Sequence, residues 1–184
     1  MPVWAWILIA VGVVVLVGLL VWAVSRQRQS SRLRSTFGPE YERSVSMSGR
    51  RDAESELAAR EKRREQLDIR ALDPAARQRY AEAWRDTQAR FVDSPEQATR
   101  EADLLVIEVM RERGYPMEDF DQRAADVSVD HPTVVENYRA AHTTSLANEQ
   151  GEASTEDLRQ AMVHYRVLFM ELLEPPDEDV RRTG

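Results

Sequence analysis

The sequence contains no cysteine and, among its 184 residues, only three histidines and seven glycines. Without cysteine, a disulfide scaffold, a thiolate nucleophile and a cysteine zinc site are excluded. So few glycines leave little material for a phosphate-binding loop, and neither a serine nucleophile elbow nor an H-E-x-x-H motif is present. We therefore predict a protein that is not an enzyme, with no catalytic residues, no cofactor and no metal.

The apolar residues are concentrated in one block near the beginning of the chain. Residues 3–24 include no charged and no polar side chain, and a helix of that length extends about 33 Å, enough to cross a bilayer. We therefore predict a transmembrane anchor in residues 1–25 that contacts the lipid bilayer through residues 3–24. The alternative is a cleaved signal peptide, because residues 23–25 form a small-x-small triplet, but no basic side chain precedes the run.

Positive charge follows the apolar run. Arg26, Arg28, Arg32 and Arg34 all come before the first acidic residue, Glu40. Because positive residues prefer the cytoplasmic side, we expect a single-pass protein of the cell membrane with its N-terminus outside and its C-terminal domain cytoplasmic. The same four arginines are candidates for binding lipid head groups.

Two charged segments lead from the anchor to the rest of the chain. In residues 26–49, a basic juxtamembrane segment, we predict a short helix from Pro39 to Met47. Residues 50–72 follow as a charged helical spacer and connector, whose few apolar residues form no heptad, so we predict a solvated helix. The alternative for this spacer is a coiled-coil dimer. Its arginines alternate with glutamates, so no basic face for nucleic acid forms.

The remaining chain is acidic, because residues 67–184 hold 14 basic and 25 acidic side chains. Within it, capping residues and apolar periodicity predict a bundle of about five helices in residues 73–174. Asp73 and Ser94 each precede a proline and start a helix, and Gly114 ends the second helix. The apolar stripe of this second helix comprises Ala98, Ala102, Leu105, Val109 and Met110. We predict a shorter helix over 118–126 and a further helix that starts at Asp130 and runs to about Gly151. The predicted inner face of this further helix comprises Val134, Val135, Tyr138, Ala141 and Leu146.

The last helix has the clearest amphipathic pattern. Ser154 caps it, and its apolar stripe comprises Leu158, Ala161, Met162, Tyr165, Leu168, Phe169, Leu172 and Leu173. Residues 175–184 begin with two prolines that end the helix, and we expect a disordered tail there. Because no segment alternates with a period of two, no strand is predicted, and the fold class is all-α.

Aromatic and charged side chains are densest between residues 113 and 142, a mixture that protein interfaces favour. We predict that an unknown protein partner binds there. The candidate residues are Arg113, Tyr115, Asp119, Phe120, Arg123, Asp130, His131 and Arg139. The alternative is that these residues cap helices, pair with neighbouring charges and fill the core.

The histidines suggest other chemistry, for which the pattern is weaker. His131 follows Asp130, and a carboxylate can orient an imidazole as a general base, but a residue just before a helix-starting proline is usually a cap or surface residue. Tyr138, His142 and His164 define a second hypothesis, a ligand-binding or enzymatic pocket between helices. A metal at the two histidines would require carboxylate ligands that the spacing does not show.

Five segments resemble a group of uncharacterised bacterial single-pass membrane proteins. They are residues 113–116 (Arg-Gly-Tyr-Pro), 125–132, 137–142, 155–159 and 164–166. The resemblance extends from the apolar run to the last helix and implies the architecture, an anchor followed by a helical domain. It implies no catalytic residue, because the group has no established activity. Our hypothesis is a membrane-anchored helical adaptor or scaffold protein, with the oligomeric state left open.

Overall fold

The computed structural model describes the backbone of residues 3–174 and the side chains of residues 16–20 and 25–174. Over that range the chain has seven α-helices and no strand, so the predicted all-α class is confirmed. The helices are α1 (Val3–Ser48), α2 (Arg50–Arg64), α3 (Pro74–Arg90), α4 (Pro95–Arg113), α5 (Phe120–Asp130), α6 (Val135–Glu149) and α7 (Thr155–Leu173). The chain divides into two compact units, Met1–Leu57 and Ala58–Gly184, and the division falls within α2.

The prediction of a single membrane crossing is contradicted. Among the described residues, no helix combines the length and the apolar character that crossing a membrane requires. A crossing needs about 20 consecutive apolar residues in one helix, and of the apolar run only residues 16–20 have described side chains. This corrects both the transmembrane helix and the single-pass localisation. The predicted tail, residues 175–184, lies outside the described residues.

In the first unit, α1 is interrupted at Gly38. This residue has φ 44° and ψ −117°, a conformation that glycine adopts more readily than any other residue because it has no Cβ. The helical segment that continues from Pro39 to Ser48 coincides with the predicted short helix. Gly49, with φ 80°, then separates α1 from α2.

A partly buried carboxylate joins the three helical segments of the first unit. Glu54 accepts hydrogen bonds from the Ser30 hydroxyl at 2.6 Å, the Tyr41 hydroxyl at 2.9 Å and Arg50 Nε at 2.8 Å. The hydrogen bond from Arg50, followed by that from Ser30, lowers the pKa of Glu54 to about 2. Ala53 and Leu57 beside it are fully buried, so the first half of the predicted solvated spacer is packed.

The core of the second unit is built around α7. All eight residues of its predicted apolar stripe are buried. One of them, Phe169, stacks on Trp84 of α3 with ring centroids 4.6 Å apart. Helix α7 packs against α4 and α6, α3 packs against α4, and α5 packs against α6. The capping box formed by Ser154 and Asp157 starts α7 as predicted.

The region between α4 and α6 differs from the prediction. Helix α5 begins after Asp119, whose carboxylate accepts from the backbone N–H of Gln122 at 2.8 Å, and it continues to Asp130. Asp130 therefore ends one helix rather than starting the next, and α6 begins at Val135. Leu146, predicted to face the core, is 45% exposed.

Two glycines with positive φ allow a direct test of chain packing. Gly114 ends α4 with φ 98°, and a Cβ there would lie 2.4 Å from the Asp68 carbonyl oxygen; at Gly151, with φ 72°, a Cβ would have no heavy atom within 4 Å. Gly151→Ala should therefore cost only about 1 kcal/mol of backbone strain. Gly114→Ala should cost about 1–3 kcal/mol more, because the connector must move.

Urea denaturation of the full chain, followed by circular dichroism, measures both losses. The two substitutions share the strain of a positive φ, so Gly151→Ala is the matched control. Equal losses in the free energy of unfolding would show that the connector does not pack tightly against the end of α4.

Candidate functional site

Arg113, the last residue of α4, lies at the centre of a buried polar cluster. Its side chain is 1% exposed. Nη1 donates to the carbonyl oxygen of Leu172 at 3.0 Å, and Nε donates to that of Arg70 at 3.3 Å. Nη1 also lies 3.4 Å from Nε2 of His131. Because the last carbonyls of a helix have no partner within it, Arg113 satisfies the end of α7 and links it to α4, the connector and the residue after α5.

The contacts of His131 determine its protonation state. Its Nδ1 lies 3.3 Å from the Glu171 carboxylate on α7. An arginine side chain can only donate hydrogen bonds, so Nε2 must accept from Arg113, and Nδ1 carries the proton and donates to Glu171. Burial, followed by the charge of Arg113, lowers the pKa of His131, although the hydrogen bond to Glu171 opposes this. The buried imidazole is therefore neutral, with both nitrogens engaged.

Asp130 connects this cluster to α2. Its Oδ2 accepts a hydrogen bond from the Tyr115 hydroxyl at 2.8 Å and an ion-paired one from Arg64. Burial, followed by the charge of Asp130, raises the pKa of Tyr115, so this phenol stays protonated and continues to donate. The arrangement leaves Asp130 as an acceptor held between two donors.

A second arginine of α2 binds the region around α5. Arg63 donates through Nε to Asp126 at 3.0 Å and through Nη2 to Glu118 at 2.7 Å. One turn earlier, Arg60 donates to the Ser128 hydroxyl at 3.2 Å. The second half of the predicted solvated spacer is therefore held to the bundle by side-chain hydrogen bonds.

These positions change the interpretation of the predicted partner surface. Arg113, Tyr115 and His131 are buried, so they cannot form a surface for a partner. Asp119 caps α5, and Asp130 is held by Arg64 and Tyr115. For these five residues the structure supports the alternative, in which they cap helices, pair with neighbouring charges and fill the core.

The other candidates lie around α5 and α6. The Phe120 ring stacks on His142 with centroids 3.7 Å apart. Arg123 donates through Nε to the Tyr138 hydroxyl at 3.3 Å, and Arg139 pairs with Glu136 on the same helix. The first two contacts join α5 to α6, whereas the pair of Arg139 and Glu136 lies within α6.

Of the residues proposed to form a pocket, Tyr138 and His142 share a neighbour, since the Phe120 ring centroid lies 4.8 Å and 3.7 Å from theirs, whereas His164 is bound elsewhere. Tyr138 is fully buried, His142 stacks on Phe120, and His164 Nδ1 lies 2.7 Å from Asn137 Oδ1. Within residues 25–174, no hydrogen bond or ring contact joins any two of the three side chains. The same range holds no cluster of three or more side chains suited to a metal.

A polar chain inside the bundle was not predicted from the sequence. The Tyr165 hydroxyl donates to Asp103 at 2.8 Å and lies 2.8 Å from the Ser145 hydroxyl. Burial raises the pKa of Asp103. The available signal was an acid placed directly beside the apolar stripe of α4, next to Ala102. The chain of Asp103, Tyr165 and Ser145 links α4, α7 and α6.

The outer face of α7 was not predicted from the sequence either. Val163, Val167 and Met170 are 44%, 40% and 49% exposed, and their spacing of four and three residues places them along one face of the helix. Arg166 lies beside them, exposed, and no hydrogen bond or ion pair is found from its side chain to any other described residue. Helix α7 therefore has a second apolar stripe, opposite its buried one.

No protein-family model, curated protein or solved structure matches the chain. The resemblance to uncharacterised bacterial membrane proteins therefore stays a prediction.

Replacement of Arg113 by methionine tests its central role. Arg113→Met leaves the Leu172 carbonyl without its donor, and one unsatisfied buried polar group costs about 1–3 kcal/mol. We expect a loss of about 3 kcal/mol in the free energy of unfolding, since the Arg70 and His131 contacts are lost as well. Arg111→Met is the control: Arg111 is exposed, and a change there should stay within about 0.5 kcal/mol.

Chemical denaturation of both variants provides the measurement. If Arg113→Met were as stable as Arg111→Met, the buried guanidinium would contribute little to the bundle, and the cluster would not be its structural centre.

Proposed function

We propose that this protein is a non-enzymatic helical interaction protein, an adaptor or scaffold that binds a protein partner through the outer face of α7. The observation that carries the proposal is the exposed stripe of Val163, Val167 and Met170. A surface helix of a globular protein ordinarily has one apolar face, directed toward its own core. Because the core-facing stripe of α7 is complete without these residues, the second stripe favours a partner outside the unit.

The energetics indicate what the partner must supply. Burial of the exposed part of each of the three side chains contributes roughly 1 kcal/mol. A total of about 3 kcal/mol falls short of even millimolar affinity, which corresponds to about 4 kcal/mol. The partner must therefore add polar contacts around the stripe.

Charge beside the stripe favours an acidic contact from the partner. Arg159 is bound to Glu156 by two hydrogen bonds, of 2.8 Å and 2.7 Å, whereas Arg166 has no such contact with another described residue. A carboxylate of the partner opposite Arg166 would give both orientation and specificity. We propose an amphipathic helix as the ligand, since apolar residues spaced by three and four match a stripe of the same spacing.

This location differs from the surface predicted at residues 113–142. Burial of Arg113, Tyr115 and His131 removes the residues that would have anchored a partner there. A partner that binds the outer face of α7 would instead leave the contacts within the bundle intact.

Photo-crosslinking in cells that produce the full chain tests the proposal. A crosslinking amino acid at Val167 should capture a discrete protein, whereas the same probe at Leu104, which is 58% exposed on α4, should not. The capture should be lost with Val163→Asp or Met170→Asp, because a buried charge opposes apolar docking. It should weaken with Arg166→Glu and persist with Arg166→Lys.

The control for nonspecific capture is Leu104→Asp in the chain probed at Val167, which should leave the crosslink unchanged. Identical products from probes at Val167 and Leu104, or no product that depends on Val163 and Met170, would contradict the proposal.

A further inference from the structure

His131 joins the last residue of α4 to the last turn of α7. One imidazole nitrogen, Nε2, lies 3.4 Å from Arg113, and the other, Nδ1, lies 3.3 Å from Glu171. The contact with Arg113 is buried and the contact with Glu171 is partly buried, and Arg113 also donates directly to the Leu172 carbonyl at 3.0 Å. The join depends on the proton of the imidazole, because only the neutral ring can accept at Nε2 while it donates at Nδ1.

We propose that His131 is a proton-operated latch between the end of α4 and the last turn of α7, closed when the imidazole is neutral and opened when it binds a second proton. The inference is independent of the proposed partner surface. It rests on the position of one ring between a permanent donor and a carboxylate.

Protonation would break the contact with Arg113. A proton on Nε2 would place an N–H group against the Nη1 donor, with two positive groups where a hydrogen bond existed. Arg113 cannot release a proton at ordinary pH, and it is also held by the carbonyl oxygen of Leu172. The protonated imidazole must therefore move away from Arg113, so the link that runs from Arg113 through His131 to Glu171 is lost, whereas the direct hydrogen bond from Arg113 to the Leu172 carbonyl remains.

Four charged groups around His131 decide how readily it protonates. Arg113 from α4 opposes the second proton, and Glu171 from α7 and Asp130 from α5 favour it. Asp130 is itself paired with Arg64 of α2, which reduces its attraction for the imidazolium. With burial acting in the same direction as Arg113, the balance lowers the pKa of His131.

The direction of the pH effect follows from this balance. A lowered pKa in the folded state means that the unfolded or opened chain, with an ordinary histidine pKa of about 6.5, binds the proton more tightly. Stability from the closed latch is therefore complete above pH 6.5 and is lost as the pH falls toward the folded-state pKa. The ratio of closed to opened molecules changes by at most about tenfold per pH unit for one proton.

Amide hydrogen exchange on the full chain at pH 7.5 and pH 5.5, corrected for intrinsic rates, tests the latch. In the wild type, the protection of the amides from Met170 to Leu173 should fall several-fold at the lower pH. In His131→Gln it should not fall, because the glutamine amide can accept from Arg113 and donate to Glu171 but does not titrate. His142→Gln is the matched control and should behave as the wild type, since His142 contacts Phe120 instead.

A second measurement keeps the test independent of how well His131→Gln folds. The imidazole resonances of the wild type report the titration of His131 directly, and the amide shifts of Leu172 and Leu173 should follow the same midpoint, below 6.5. An equal loss of protection in His131→Gln would overturn the proposal. So would a His131 titration that leaves the α7 amides unchanged.

Discussion

The second unit depends on the contacts of the buried Arg113 guanidinium, which lies where α4 and α7 end. It donates to carbonyl oxygens at the end of α7 and in the connector, and it fixes the tautomer of His131. A positive group in this environment is stable only because several acceptors surround it. The ends of α4 and α7 and the residue that follows α5 are therefore positioned by one side chain.

Acidic residues extend this arrangement to α2. Asp126 and Asp130 accept hydrogen bonds from Arg63 and Arg64, respectively. The sequence pattern predicted that these arginines lie on a solvated helix, but they hold α2 against the bundle. A comparable carboxylate, Glu54, joins the helical segments of the first unit. Each unit thus combines an apolar core with a polar cluster that specifies which helices meet. The outer stripe of α7 takes no part in either, which is why we assign the partner to it.

Periodicity predicted the parts of the fold in which local pattern and packing agree. The stripes of α4 and α7 are buried as expected, because an amphipathic helix has only one way to cover its apolar face. Prediction failed between Asp119 and Val135, where short helices leave few periodic residues and Asp130 has the features of either a start or an end. It also failed at Leu146, since exposure there depends on how α6 packs in the bundle.

The sequence by itself determined the all-α class, the helix caps at Asp73 and Ser154 and the buried stripe of α7, because these depend on neighbours within one or two turns. Only the tertiary structure decided that Arg113 and His131 are buried partners rather than a surface. Their contacts to Leu172 and Glu171 span about 60 and 40 residues of chain, and no local pattern encodes such a distance. The same holds for the outer stripe of α7, which is defined by what the bundle leaves uncovered.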